Sequence, residues 1–161
     1  MKNLSGRIFT VLATGLISCA FHSEQAQAAP TIRTCVDFST LADNTVLGPS
    51  LQAGLHFKQL GTPTMFANLT AGQVGLQFPN AGLEVELPRT HRVKMVIGTF
   101  GGVVKLEVRN GANQISTQAI NTSNTYTTLI VSKPVPFTTL VFTGGHNEAI
   151  LVRICAYPDC N

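Results

Sequence analysis

From residue 32 onward the side chains alternate in polarity with a period of two, and no other feature constrains so tightly what the chain can fold into. The clearest stretch is "VVKLEVRN", where Val104, Leu106 and Val108 alternate with Lys105, Glu107 and Arg109. One face of an extended strand is therefore apolar and the other wet. "NGAN" at 110–113 follows, with Asn110-Gly111 where a tight turn needs positive φ, and "QISTQAIN" resumes the extended pattern through Ile115 and Ile120. The two runs read as a β-hairpin.

The theme recurs. "GLEVELP" sets Leu83, Val85 and Leu87 against Glu84 and Glu86, and "HRVKMVIG" repeats it with Val93, Met95 and Ile97. "TYTTLIVS", "FTTLVFTG" and "AILVRICA" follow, divided by Lys133-Pro134-Val135-Pro136 and by Gly144-Gly145; "TCVDFS", "GLHFKQL" and "VGLQFP" precede them. These runs predict nine or ten strands between Gly, Pro and Asn turns, with no helix of three turns. Short strands at this spacing imply an all-β, antiparallel β-sandwich of jelly-roll type, because parallel pairs need longer crossovers.

The first thirty residues stand outside the pattern. "MKNLSGR" carries Lys2 and Arg7, "IFTVLATGLISCAF" is apolar but too short for a permanent anchor, and the polar "HSEQAQA" ends in Ala26-Gln27-Ala28. That order is a secretory signal over residues 1–28. A second reading stays open, because Leu16-Ile17-Ser18-Cys19 resembles the lipobox of bacterial lipoproteins, in which residues 1–18 are removed and Cys19 is lipidated. The Ala-x-Ala site at the end of a proper polar region favours the first. Residues 31–161 then form one domain, long enough to bury a core. No later run has the length of a membrane helix. The expected location is secreted or periplasmic, with an outer-surface or outer-membrane lipoprotein as the alternative.

After residue 28, nine Lys/Arg stand against seven Asp/Glu, a net charge of +2 that is too scattered to argue for nucleic acid. Charged residues are only 12% of the chain, which leaves few groups for acid–base work. His56, His91 and His146 lack the close spacing of a zinc site. No Gly-x-Ser-x-Gly is present. Glu84 and Glu86 share a strand face and read as a solvated surface rather than as carboxyls opposed across a cleft. "LPRTHRVK" gathers Arg89, His91, Arg92 and Lys94 before an apolar strand; Arg89, His91 and Arg92 are candidate contacts to a sulfate, a phosphate or an anionic sugar. Calcium is the ion best suited to the oxygen donors of "LADNT", with Asp43 and Asn44 as ligands and Asp37 and Glu148 joining them if the first and last strands are neighbours. Asp43-Asn44 is also turn chemistry, which weighs more on local grounds.

"CVDFSTLADNTVLGPSLQAGLHF" resembles the opening of secreted bacterial β-sandwich modules, in which a Val/Ile-Asp-Phe strand runs through a turn into a Gly-Leu/Val-x-Phe strand. "VVKLEVRNGANQISTQAI" is similar to their strand–turn–strand theme, and "FTGGHNEAILVRICAY" to their final strand. Together these resemble the galactose-binding-like jelly rolls of carbohydrate-binding and adhesive proteins, which often hold a structural calcium. Ser39 and Asn44 depart from that pattern, where an acidic residue and Gly are usual.

The resemblance implies that the first and last strands are neighbours. Cys35 points outward with Asp37, and Cys155 shares the face of Arg153 and Leu151, opposite Ile150, Val152 and Ile154. On that implication Cys35 and Cys155 bridge. Closing about 120 residues is worth up to roughly 5 kcal/mol, against about 2 for a Cys155–Cys160 loop. Cys35–Cys160 remains an alternative, and one cysteine, Cys160 on the first pairing, is left free or available for a disulfide-linked dimer.

The resulting expectation is an exported, non-catalytic binding module for a glycan or cell-surface component, contacted through loops at one end of the sandwich. The alternative is a structural or interaction protein of the cell envelope, lipid-anchored at Cys19. No cofactor is expected beyond structural calcium. A small hydrolase or lyase built on His91 with Arg89 or Arg92 lacks a nameable acid–base pair.

Overall fold

The computed structural model describes residues 33–70 and 72–158. The signal and lipobox segments, Cys19 and Cys160 lie outside them. Ten strands form, β1 (Thr34–Asp37), β2 (Ser50–Gln52), β3 (Leu55–Gln59), β4 (Phe66–Thr70), β5 (Gln73–Phe78), β6 (Leu83–Thr99), β7 (Val104–Asn110), β8 (Asn113–Ile120), β9 (Tyr126–Gly144) and β10 (Ala149–Pro158). All pair antiparallel in one hydrogen-bonded network.

That network is doubled over into a sandwich, because β6 and β9 each run through both layers. Their early and late halves pair with different neighbours. Leu83–Glu86 of β6 lies between β3 and the end of β9, while Thr90–Thr99 lies between β10 and the start of β9. The first layer therefore reads β2-β3-β6-β9-β7-β8. The second reads β4-β5-β10-β6-β9, with β1 beside β10 beyond the end of β5.

The bend is built from two opposed bulges. Between the Glu86–Thr139 and Thr90–Phe137 pairs, Leu87, Pro88 and Arg89 stand opposite Thr138 alone. Between Thr90–Phe137 and Arg92–Ser132, the four residues from Lys133 to Pro136 stand opposite His91 alone. Pro88, Pro134 and Pro136 thus fall where no ladder bond is made, and their fixed φ keeps the chain extended. This corrects the sequence reading, which divided both strands at those prolines. Proline ends a ladder without ending the strand. The count of ten survives because two short strands, β2 and β4, form from segments with too little alternation to be read. Thr90, fully buried between the bulges, accepts from the Arg92 N–H at 3.1 Å and donates to the Tyr157 carbonyl.

The inward faces make one core. Phe38 meets Phe57 edge-on at 5.1 Å, and Phe78 meets Phe142 at 5.9 Å, so each pair joins one layer to the other. Such pairs add about 1 kcal/mol each beyond the burial of their area. In the β7–β8 hairpin only Gly111 has positive φ, at 57°, and it is the first of two loop residues. Asn110 instead closes the strand. The turn therefore has Gly at the first central position, as in type II′, and the expectation from turn chemistry that Asn110 shares the left-handed conformation is corrected.

β10 needs a second correction. A bulge between Leu151 and Arg153 shifts its parity, so Ala149, Leu151, Ile154 and Ala156 face the core and Val152 does not. Cys155 keeps its outward side. It stands directly opposite Cys35 in the β1–β10 register, and the two form a disulfide spanning 120 residues. Replacing both with Ser should lower stability by about 2–5 kcal/mol in denaturant unfolding, with the m-value reporting any expansion of the unfolded chain.

Candidate functional site

The two outer faces differ in charge balance. On the first layer, β3, β6 and β7 place acids beside bases. His56 Nδ1 lies 3.2 Å from Glu86, Lys58 Nζ 3.5 Å from Glu84 and Lys105 Nζ 2.6 Å from Glu107, which also takes the Arg109 guanidinium. The cross-strand register His56–Glu86 and Lys58–Glu84 brings the first two pairs together. Glu107 is buried, and hydrogen bonds from Lys105 and Arg109 hold its carboxyl below the ordinary carboxylate range. This face neutralises itself.

The second layer's outer face does not. Beside the disulfide, β10 turns Arg153 and Tyr157 outward, β6 turns Arg92 and Lys94 outward, and Arg33 precedes β1. Among the described residues none of these four cations has an ion-pair partner. Asp37 is opposite Arg153 in register, but its carboxylate accepts from the Ser39 N–H at 3.1 Å and the Ser39 hydroxyl at 2.6 Å. An open cleft of about 180 Å³ lies here, lined by Arg33, Lys94, Thr128, Arg153, Cys155 and Tyr157. The Arg92 guanidinium sits 5.4 Å from the Tyr157 ring centroid. Four cations against the single carboxylate of Asp37 leave this side of the sheet with a net positive potential.

The far end of this face is closed by Tyr126. Its ring lies against Gly98, where an added Cβ would meet ring atoms at 2.8 Å, and its hydroxyl donates to the Val74 carbonyl at 3.2 Å. Burial raises the Tyr126 pKa above the ordinary phenol value.

The sequence-predicted residues fare unequally. The structure separates the "LPRTHRVK" cluster at the bend: Arg92 joins the cationic face, Arg89 is exposed beside Pro88, and the His91 Nδ1 lies 3.0 Å from the Lys133 carbonyl within the bulge. His146 is the third residue of a left-handed run from Gly144 to Asn147, φ 49°, and its N–H donates to the Asn80 side chain. The calcium set does not assemble. Among the described residues no group of three or more His, Cys, Asp or Glu is placed to hold a metal. Asp43 accepts instead from the Leu69 N–H at 2.8 Å and from Asn44, which sits in the left-handed region at φ 59°. Glu148 belongs to the β9–β10 turn. No spacing within one strand relates Arg33, Lys94, Arg153 and Tyr157. Only the β1–β10–β6 pairing does.

No helix among the described residues is long and apolar enough to cross a membrane. No protein-family model matches the chain, and no curated protein matches it. Among solved structures it is similar to a mutant of a family 29 carbohydrate-binding module, at 20% identity over 79% of this chain and 82% of that chain, with a TM-score of 0.36. Nothing about a ligand of this chain follows from that overlap.

Glu107 has a measurable signature. The unfolded chain takes up its proton near the ordinary value of 4.5, the folded chain only at lower pH. The stability it contributes is therefore complete above the ordinary value and is lost as pH falls through the lowered folded value. Denaturation midpoints from about pH 5 to about pH 2 should fall less steeply in Glu107→Gln than in the parent.

Proposed function

We propose that the chain is exported and serves as a non-catalytic binding module whose ligand, a glycan or another cell-surface component, docks on the outer face of the second layer. The observation that carries this reading is the open cleft on that face. It is bordered by cations that have no carboxylate partner among the described residues, whereas the opposite face has paired its own. The cleft's lining of Arg, Lys, Thr and Tyr side chains offers a ligand charge and hydroxyl contacts. A flat sheet face beside a shallow cleft suits an extended ligand rather than an engulfed one. The glycan class draws on the resemblance of the strand-and-turn pattern to carbohydrate-binding jelly rolls. This placement differs from the loop-end contact that the sequence suggested, because the unbalanced charge lies on the strands.

Export rests on the N-terminal signal and accords with a disulfide inside the fold. Mass spectrometry of the mature protein should find Ala29 as its first residue; a diacylglyceryl Cys19 would make it an anchored component instead. On a panel of immobilised glycans, the parent chain should bind at least one, and Lys94→Ala/Arg153→Ala should lose that signal while melting at the parent temperature. A panel with no signal for the parent overturns the reading.

A further inference from the structure

Resting on that reading of the face, we infer that its ligand is an acidic polysaccharide, carrying sulfate or carboxylate groups, laid obliquely across β10 and β6. The register sets the geometry. Arg153 stands beside Val96, Cys155 beside Lys94, and Tyr157 beside Arg92. Arg153 on β10 and then Lys94 and Arg92 on β6 therefore form an oblique row about 14 Å from end to end, with one step of two residues across the strand pair, about 4.8 Å apart, and a second along β6. Arg33 adds a fourth charge at the edge of the cleft. A single sulfate or phosphate meets one end of such a row. A chain with repeated acidic groups meets all of it, and Arg and Lys offer charge-assisted hydrogen bonds at each step.

The aromatic groups argue against a ligand held by ring stacking, whether bases or neutral sugar rings. Single strands are held on ring faces on which bases stack. Here the Tyr157 ring already carries the Arg92 guanidinium, and Tyr126 is engaged with Gly98 and the Val74 backbone. The chain has no Trp. Acidic sugars need cations and hydroxyl partners, and Thr128 supplies a hydroxyl in the cleft.

The test compares dextran sulfate, polygalacturonate, unmodified dextran and a single-stranded oligonucleotide as ligands for the purified chain. Both acidic polymers should bind, unmodified dextran should not, and added salt should weaken the binding. Lys94→Ala/Arg153→Ala should bind dextran sulfate about tenfold more weakly or worse, the loss expected for one charge-assisted hydrogen bond. Lys58→Ala/Lys105→Ala, the same loss of charge on the opposite face, should stay within about twofold of the parent. Lys94→Gln, which retains much of the side-chain length, provides the same contrast should the double variant misfold. Equal weakening by both double variants would reduce the effect to net charge and overturn the inference. Tighter binding to the oligonucleotide does the same, as does inorganic sulfate competing on par with the polymer. Binding of a neutral glycan without preference for the acidic ones overturns this inference and leaves the binding-module reading standing. Failure of every glycan overturns both.

Discussion

Two strands that refuse to stay in one layer set the terms for the rest of the structure. β6 and β9 run antiparallel for 17 and 19 residues, longer than a single face of a small sandwich needs. They stay paired through the bend because each bulges where the other is short of residues. Excess chain on β6 at Leu87–Arg89 is followed by excess chain on β9 at Lys133–Pro136. A bulge bends and twists its strand, and two of opposite sense in succession turn the pair without breaking it. Thr90, the single paired residue between them, is buried and bonded to β10 as well. The layers are then stitched across the core by the Phe38–Phe57 and Phe78–Phe142 contacts.

The bend also separates the charges. Residues of β6 before it, Glu84 and Glu86, fall on the first layer, where β3 supplies Lys58 and His56. Residues after it, Arg92 and Lys94, fall on the second, where β10 supplies Arg153. One strand thus contributes acids to one outer face and bases to the other, on either side of Pro88. Exposed ion pairs contribute little stability, so the pairing on the first layer matters less for the fold than for the field it leaves. The overall net charge is small, yet the second layer's outer face is strongly one-sided. Composition alone averages this asymmetry away.

The disulfide joins the edge strand of that face to its neighbour. β1 pairs with the rest of the protein through four residues of β10, a short contact for a terminal strand. The Cys35–Cys155 bond holds it there and brings Arg33 to the cleft. Cys155 of the same bond lines the cleft, so covalent closure of the fold and shaping of the candidate site share a residue.

The sequence by itself determined the all-β class, the inward residues of most strands, the β7–β8 hairpin and the outward side of Cys35 and Cys155. These depend on a period of two and on turn chemistry, which are local properties of the chain. It did not determine that Pro88 and Pro134–Pro136 lie within strands, because whether a missing N–H ends a strand depends on what stands opposite it. Nor did it determine the facing of Ile150 and Val152, since one extra residue in a bulge inverts parity and leaves no mark in the alternation itself. The candidate site was the least legible part. Arg92 and Lys94 were visible as cations next to an apolar strand, but Arg33 and the Arg153–Tyr157 pair belong to two other segments far away in the chain. Their proximity is set by strand pairing, a long-range choice made by the core, and only the tertiary structure decided it.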